Sequence, residues 1–174
     1  RFKTLLQGNV DAIYFNEKLY IGKREEVFVY NESTGNFDLY YHLAGKDITL
    51  SCLHLDEKKN LWMGTTSNGL YCLSGDKKIS QPVTRGNIAS IYEDSSKELW
   101  ICTWEEGLYR IKTDSTIENF RHDPKNPNSI CADFVRSCCE DNAGNLWIGT
   151  FHGLNRYEKS TGKFQLYTAN ANKP

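Results

Sequence analysis

Asn145-Leu146-Trp147-Ile148-Gly149-Thr150, with Gly153-Leu154 just behind it, decides how this chain is read, because the same pattern occurs twice before it. The earlier copies are Asn60-Leu61-Trp62-Met63-Gly64-Thr65 with Gly69-Leu70, and Glu98-Leu99-Trp100-Ile101-Cys102-Thr103 with Gly107-Leu108. A decayed copy, Lys18-Leu19-Tyr20-Ile21-Gly22-Lys23, carries Tyr in place of Trp. The four aromatic anchors are 42, 38 and 47 residues apart. A period of that size is the signature of a stacked repeat architecture.

Working outward, each anchor belongs to a set of four short strands. The first repeat reads as Val10 to Phe15, Leu19 to Gly22, Val27 to Tyr30, and a closing strand after the polar turn Asn31 to Asn36. The second reads as Ile48 to Leu55, Leu61 to Thr65, Leu70 to Leu73 and a weak strand near Ile79 to Val83. The third uses Ile88 to Glu93, Leu99 to Thr103, Leu108 to Ile111 and Ile117 to Phe120; the fourth uses Phe134 to Glu140, Leu146 to Thr150, Leu154 to Tyr157 and Phe164 to Thr168. Arg1 to Gln7 has the look of an orphan closing strand. No segment sustains a 3.6-residue period, so no helix is expected.

Four antiparallel strands per period of about 40 residues make one blade of a β-propeller, in which radially packed sheets protect one another's edges. The fold expectation is therefore all-β, with four repeats forming an arc of a larger, about seven-bladed, propeller. The blades are expected at 8–45, 46–84, 85–127 and 128–174, after a last strand of a preceding blade at 1–7. In the second strand Leu and Ile face one way and Trp and Gly the other, so both faces are apolar, as a sheet sandwiched between sheets requires. The glycine at 22, 64 and 149 is expected to make room for the indole or for a close backbone. Cys102 departs from it. The long connection Arg121 to Cys131, with Pro124 and Pro127, reads as a hinge or surface excursion.

The totals narrow the function classes. With 22 acidic and 21 basic residues the chain has no electrostatic footprint for nucleic acid or an anionic membrane. No apolar run approaches the roughly 18 to 20 residues of a membrane helix, and the start lacks the apolar stretch of a signal peptide. The chain does not open with Met, and it reads as an excerpt of a longer protein. Six cysteines, at 52, 72, 102, 131, 138 and 139, show no framework spacing and no C-x-x-C pair. They read as free buried thiols, the spacing leaving disulfides open. Adjacent Cys138 and Cys139 point to opposite faces of one strand and suit each other poorly as partners.

The run Glu140-Asp141-Asn142-Ala143-Gly144-Asn145-Leu146-Trp147-Ile148-Gly149-Thr150-Phe151-His152-Gly153-Leu154, then Ser160-Thr161-Gly162-Lys163-Phe164, resembles the two-component-regulator propeller repeat. Asp94 with Leu99 to Thr103, and Asp56 with Leu61 to Thr65, match it as well, so the resemblance covers nearly the whole chain. Propellers built on a Trp-Asp dipeptide or on a Gly-Gly pair fit less well. The resemblance implies the periplasmic sensor region of a hybrid two-component histidine kinase of Bacteroidetes, anchored in the inner membrane only through the parent chain. It further implies an oligosaccharide ligand and control of polysaccharide-utilisation genes by phosphorelay. Tyr20, Lys23 and Cys102 are departures from the repeat. The family motif is structural and carries over no binding residues.

Candidate ligand contacts come instead from the loops between second and third strands, which vary while their flanks repeat. They supply Arg24, Trp104, Glu105, Glu106, Phe151 and His152. Trp104 stands outside the repeat position, and a flat indole beside two carboxylates suits a sugar ring. Set against this, Trp104 reads equally as cover for a blade seam and His152 as an ordinary loop histidine. Adjacent Glu105 and Glu106 seldom converge on one glycosidic bond. The four histidines fall in different repeats without ligand spacing, so no metal, cofactor or catalytic residue is assigned. Alternatives to the sensor are a propeller lyase or hydrolase acting on a small molecule, needing a His/Glu constellation such as His152 with Glu106, and a pure interaction or dimerisation scaffold. An arc of blades exposes an apolar face at each end, which predicts self-association of the isolated chain. Sedimentation velocity should show concentration-dependent association; a strict monomer at high concentration would count against an arc.

Overall fold

Alternation along the second strand becomes two different contacts in space. In a computed structural model, which describes residues 9–45, 47–74 and 84–168, the chain is all-β, with no helix among those residues. The expected strands at Arg1 to Gln7 and Ile79 to Val83 lie outside the described residues. Two compact units divide the chain, Arg1–Ile88 and Ala89–Pro174.

In the first unit β1 (Ala12–Asn16), β2 (Lys18–Lys23), β3 (Glu26–Asn31) and β4 (Asn36–His42) form one antiparallel sheet in chain order. Beside them β5 (Leu50–Leu55), β6 (Leu61–Thr65) and β7 (Leu70–Leu73) form a second. β8 (Ile88–Glu93) starts at the last residue of this unit. With β9 (Leu99–Thr103), β10 (Leu108–Ile111) and β11 (Ile117–Phe120), β8 makes the third sheet. β12 (Val135–Glu140), β13 (Leu146–Thr150), β14 (Gly153–Glu158) and β15 (Lys163–Tyr167) make the fourth. Each sheet is one blade; the first strands of the first, second and fourth blades start a residue or two later than the apolar pattern suggests, and that of the third starts at Ile88 as expected.

Within each unit two blades close on a shared core. Tyr20 of β2 packs with Leu61 and Met63 of β6 in the first. In the second, Trp100 and Cys102 of β9 pack with Leu146 and Ile148 of β13. The Trp side of a second strand thus meets the following blade, and the Leu/Ile side meets the preceding one. A Cβ placed on Gly22 would lie 3.1 Å from Leu50 of β5, and one on Gly64 would lie 2.8 Å from Ile88 and 2.5 Å from Cys52. The glycine therefore gives way to side chains on first strands, Ala12 and Cys52 of its own blade and Leu50 and Ile88 of the next, and not to an indole or a backbone. Sequence alone cannot show this, because the intruding residue of the next blade is some 25 positions downstream. At Gly149 an added Cβ meets nothing closer than Ser137 Oγ at 3.4 Å.

The indole is fixed by a carboxylate six residues earlier. Trp62, Trp100 and Trp147 donate their Nε1–H to Asp56, Asp94 and Asp141 at 2.9, 2.9 and 2.7 Å. The other oxygen of the same carboxylate accepts the backbone N–H of Asn60, Glu98 and Asn145, closing the turn between first and second strands. The fourth residue of that turn is left-handed, as Lys59 (φ 62°), Lys97 (φ 64°) and Gly144 (φ 80°). Burial acts to raise the Asp94 carboxyl, but hydrogen bonds from Lys159, Trp100 and the Glu98 amide outweigh it and hold the group below the ordinary carboxylate range. Lys159 Nζ lies 2.8 Å from Asp94 and 2.7 Å from Glu140, and Glu140 in turn accepts from Ser95 N at 2.7 Å. This chain of charges ties the turn of the third blade to the fourth.

The connection Arg121 to Cys131 is a surface excursion held at several points. Arg121 pairs with Asp133 at 2.6 Å, Asp123 N donates to Ser129 Oγ at 3.0 Å, and Phe164 N donates to the Asn128 carbonyl at 2.9 Å.

Two outcomes test these seams. Gly64→Ala should cost about 2 kcal/mol or more by overpacking, whereas Gly149→Ala should be neutral or stabilise by up to about 1 kcal/mol, read by urea unfolding. Asp94→Asn should destabilise at pH 7 by roughly 2 kcal/mol, since it removes one of the two carboxylates that hold Lys159 and weakens the turn. A carboxyl with a depressed folded pKa stabilises above its unfolded value and loses that contribution as pH falls through the folded one. The gap between wild type and Asp94→Asn should therefore shrink below about pH 4. A gap independent of pH would mean the charge does not matter.

Candidate functional site

Three side chains the repeat does not require come together on one rim of the second unit. The hydroxyl of Thr103 accepts from Glu106 N at 2.9 Å and donates to the Gly107 carbonyl at 2.7 Å, which shapes the β9–β10 loop and turns Trp104 outward. Thr150 repeats the arrangement for Phe151 and His152, accepting from His152 N at 3.2 Å and donating to the Gly153 carbonyl at 2.9 Å. Between these loops runs the lead-in to β12. Its Asp133 carbonyl accepts from Gly107 N and its Phe134 carbonyl from Phe151 N, both at 3.0 Å. Backbone bonds alone thus bring Trp104, Phe134 and Phe151 side by side.

Trp104 meets Phe134 edge to face at 6.4 Å between ring centres, Phe134 meets Phe151 at 6.2 Å, and Phe151 meets His152 at 6.0 Å. The three large rings are 36, 42 and 71% exposed, so each leaves part of its surface to solvent, and Trp104 at the same time covers the seam through its contact with Phe134. Arg136 lies over the Trp104 ring with its guanidinium carbon 5.0 Å from the centroid, a cation–π contact. Arg121 anchors the base of the strip, donating to Asp133 and, at 3.0 Å, to the Glu105 carbonyl. Burial works to raise the Asp133 carboxyl, but the Arg121 guanidinium and the His122 amide outweigh it and hold it below the ordinary carboxylate range.

Of the residues singled out in the sequence, Trp104, Phe151 and His152 thus share one strip. Glu105 sits exposed at the tip of the β9–β10 loop, while the Glu106 carboxylate accepts from the Tyr109 hydroxyl at 3.1 Å and so is occupied within its own blade. Arg24 belongs to the first unit, in the tight β2–β3 turn at φ 51°, where its N–H donates to the Asp11 carboxylate at 2.6 Å. Phe134 and Arg136 were missed. Phe134 reads in sequence as the first residue of a strand, and only the loop-bridging backbone reveals its position. Among the described residues no group of three or more His, Cys, Asp or Glu side chains gathers to hold a metal. What the strip offers is flat apolar surface flanked by cationic and imidazole donors.

The family model for the two component regulator propeller matches residues 83–105 and 129–152. These two segments are similar to the two-component regulator propeller repeat. Each match runs from the start of a blade through the Asp turn and the Trp strand, and stops at Glu105 or His152 in the rim loop. No curated protein matches the sequence. The extracellular domain of a putative hybrid two component system from B. thetaiotaomicron is similar in structure, with 25% identity, a TM-score of 0.72, and 91% of this chain matched to 22% of that one. A second such domain from the same organism gives 22% identity and a TM-score of 0.70 over 92% of this chain and 22% of that one. Virginiamycin B lyase from Staphylococcus aureus gives 17% identity and a TM-score of 0.74 over 94% of this chain and 56% of the lyase. The chain spans about half the length of that lyase and about a fifth of those ectodomains. These are β-propellers, and the repeats here cover part of one.

Proposed function

We propose that this chain is part of the extracytoplasmic ligand-sensing propeller of a hybrid two-component sensor histidine kinase, and that its ligand is an oligosaccharide. The observation that carries the ligand assignment is the strip of Trp104, Phe134 and Phe151. Exposed rings in a row offer the flat apolar faces on which sugar rings stack, and Arg136, His152 and Glu105 surround them with groups for hydroxyls or an acid substituent. The repeats and the likeness to two-component ectodomains support the sensor role. In the parent, ligand binding would alter the ectodomain and switch a phosphorelay that controls polysaccharide-use genes.

A lyase is the second reading, favoured by the 94% coverage on virginiamycin B lyase, although an identity of 17% speaks for fold alone. It would draw on His152 and Glu106, and the bond between Glu106 and Tyr109 ties up one of the two.

Titration with a panel of neutral and acidic oligosaccharides, followed by calorimetry and by Trp fluorescence, tests the assignment. A ligand should be found for which Trp104→Ala and Phe151→Ala each weaken binding about 10-fold or more, since losing an aromatic anchor costs over 1 kcal/mol. Both substitutions should leave the thermal midpoint nearly unchanged, because the rings are exposed. Turnover of a streptogramin, abolished by His152→Ala, with no saccharide bound, would move the assignment to the lyase.

A further inference from the structure

Counted from the anchor Trp, the residue two places on is Gly64, Cys102 and Gly149 in the three full repeats, and the residue nine places back is Leu53, Ile91 and Cys138. The third blade thus departs at the first position and the fourth blade at the second. The two departures meet. Cys102 Sγ of β9 lies 3.7 Å from Cys138 Sγ of β12, across the seam between these blades, and Cys102 is wholly buried. At the other seams a glycine at the first position meets Leu50 or Ile88 of the next blade, whose counterpart here is Val135; in this seam the first position has gained bulk at Cys102, and Cys138 is smaller than Leu53 or Ile91 at its own position. A chance cysteine at one position would not call for its partner at the other.

The sulfurs are in van der Waals contact and unbonded. Reaching the bond length of about 2.05 Å requires each to shift by roughly 0.8 Å, within the play of a side-chain torsion. We propose that Cys102 and Cys138 are the two halves of a cystine that staples the third blade to the fourth, made by exchange with a soluble disulfide such as oxidised glutathione. The thiolate of one cysteine attacks the oxidant and releases one thiol. The second thiolate then attacks the resulting mixed disulfide, closing the Cys102–Cys138 bond and releasing the second thiol. Two protein protons leave, and the oxidant's one S–S bond becomes two thiols.

Cys102 is wholly buried while Cys138 is half-buried, so an exchange that engages both sulfurs belongs to folding or to transient opening of the seam. The hydrogen bond from Cys102, together with burial, pushes the Cys138 thiol well above its ordinary value, which keeps the reduced pair unreactive once closed. Three of the other cysteines are placed differently: Cys139 is exposed on the opposite face, Cys131 contacts Thr150 Oγ1 at 3.0 Å, and burial with nearby Asp56 pushes Cys72 up to about 11. The proposal does not rest on the sensor reading.

The test refolds the full chain from its reduced, denatured state in mixed oxidised and reduced glutathione, quenches in acid, alkylates under denaturing conditions and maps the peptides. The expected result is a single linked peptide pair joining Cys102 to Cys138, with the other four cysteines alkylated. The oxidised chain should melt on the order of 5–10 °C above the reduced one. The double variant Cys102→Gly/Cys138→Leu, which restores the residues of the other blades, should fold and show no dependence of its midpoint on redox conditions. Six alkylated thiols after oxidative refolding, a link from either residue to Cys131 or Cys139, or a link without a change in melting would each overturn the proposal.

Discussion

The blades depend on one asymmetry of the second strand: its two apolar faces see different neighbours. Leu146 and Ile148 look back to the preceding blade, and Trp100 and Cys102 look forward to the next. A sheet clamped in this way can carry no polar face, which is why strands as short as five residues lack the polar alternation of a one-sided sheet. The indole carries a polar atom into the seam, and burying that N–H without a partner would be costly. Asp56, Asp94 and Asp141 supply the partner and in the same stroke close the turn leading into the strand. Turn and seam are thereby coupled through one carboxylate.

Strand order, the four-strand period and the absence of helix were legible in the sequence because they rest on local apolar patterning and turn residues. The carboxylate was also there to be read, since Asp stands six residues before each Trp, yet its bond to the indole is a matter of geometry across a hairpin. The glycine was read for the right property and the wrong cause: it does make room, but for Ala12 and Cys52 on the paired strand and for Leu50 and Ile88 of a blade still to come. Phe134 escaped because its place on the rim follows from two backbone hydrogen bonds, to Gly107 and Phe151, and neither leaves a trace in residue identity.

Form and function use different parts of the same repeat. The matched family segments end at Glu105 and His152, where the demands of turn, seam and strand cease. Thr103 and Thr150 close the loop from within by bonding backbone on both sides. Glu106 remains tied to Tyr109, but Trp104 and Phe151 supply no bond that closes the loop. A rim built this way can change Trp104 or Phe151 without disturbing Trp100 or Trp147, so specificity can vary while the scaffold holds.

The same logic explains why the departures from the repeat come in sets. The first blade has Tyr20 where the others have Trp; it lacks the indole N–H, and it also lacks the Asp that would receive it, its first hairpin being closed by Asn16, Glu17 and Lys18 alone. Tyr20 packs instead edge to face on Tyr40 at 5.5 Å. Lys23 replaces the loop-closing Thr in the same blade, and there the loop is reduced to Arg24 and Glu25, leaving no span for a hydroxyl to bridge. Where a seam residue changes, its compensation must instead be sought in the neighbouring blade, because that is where the contact lies. Cys102 and Cys138 are such a pair: the constraint that links them is spatial, 36 residues apart in sequence and 3.7 Å apart in the fold.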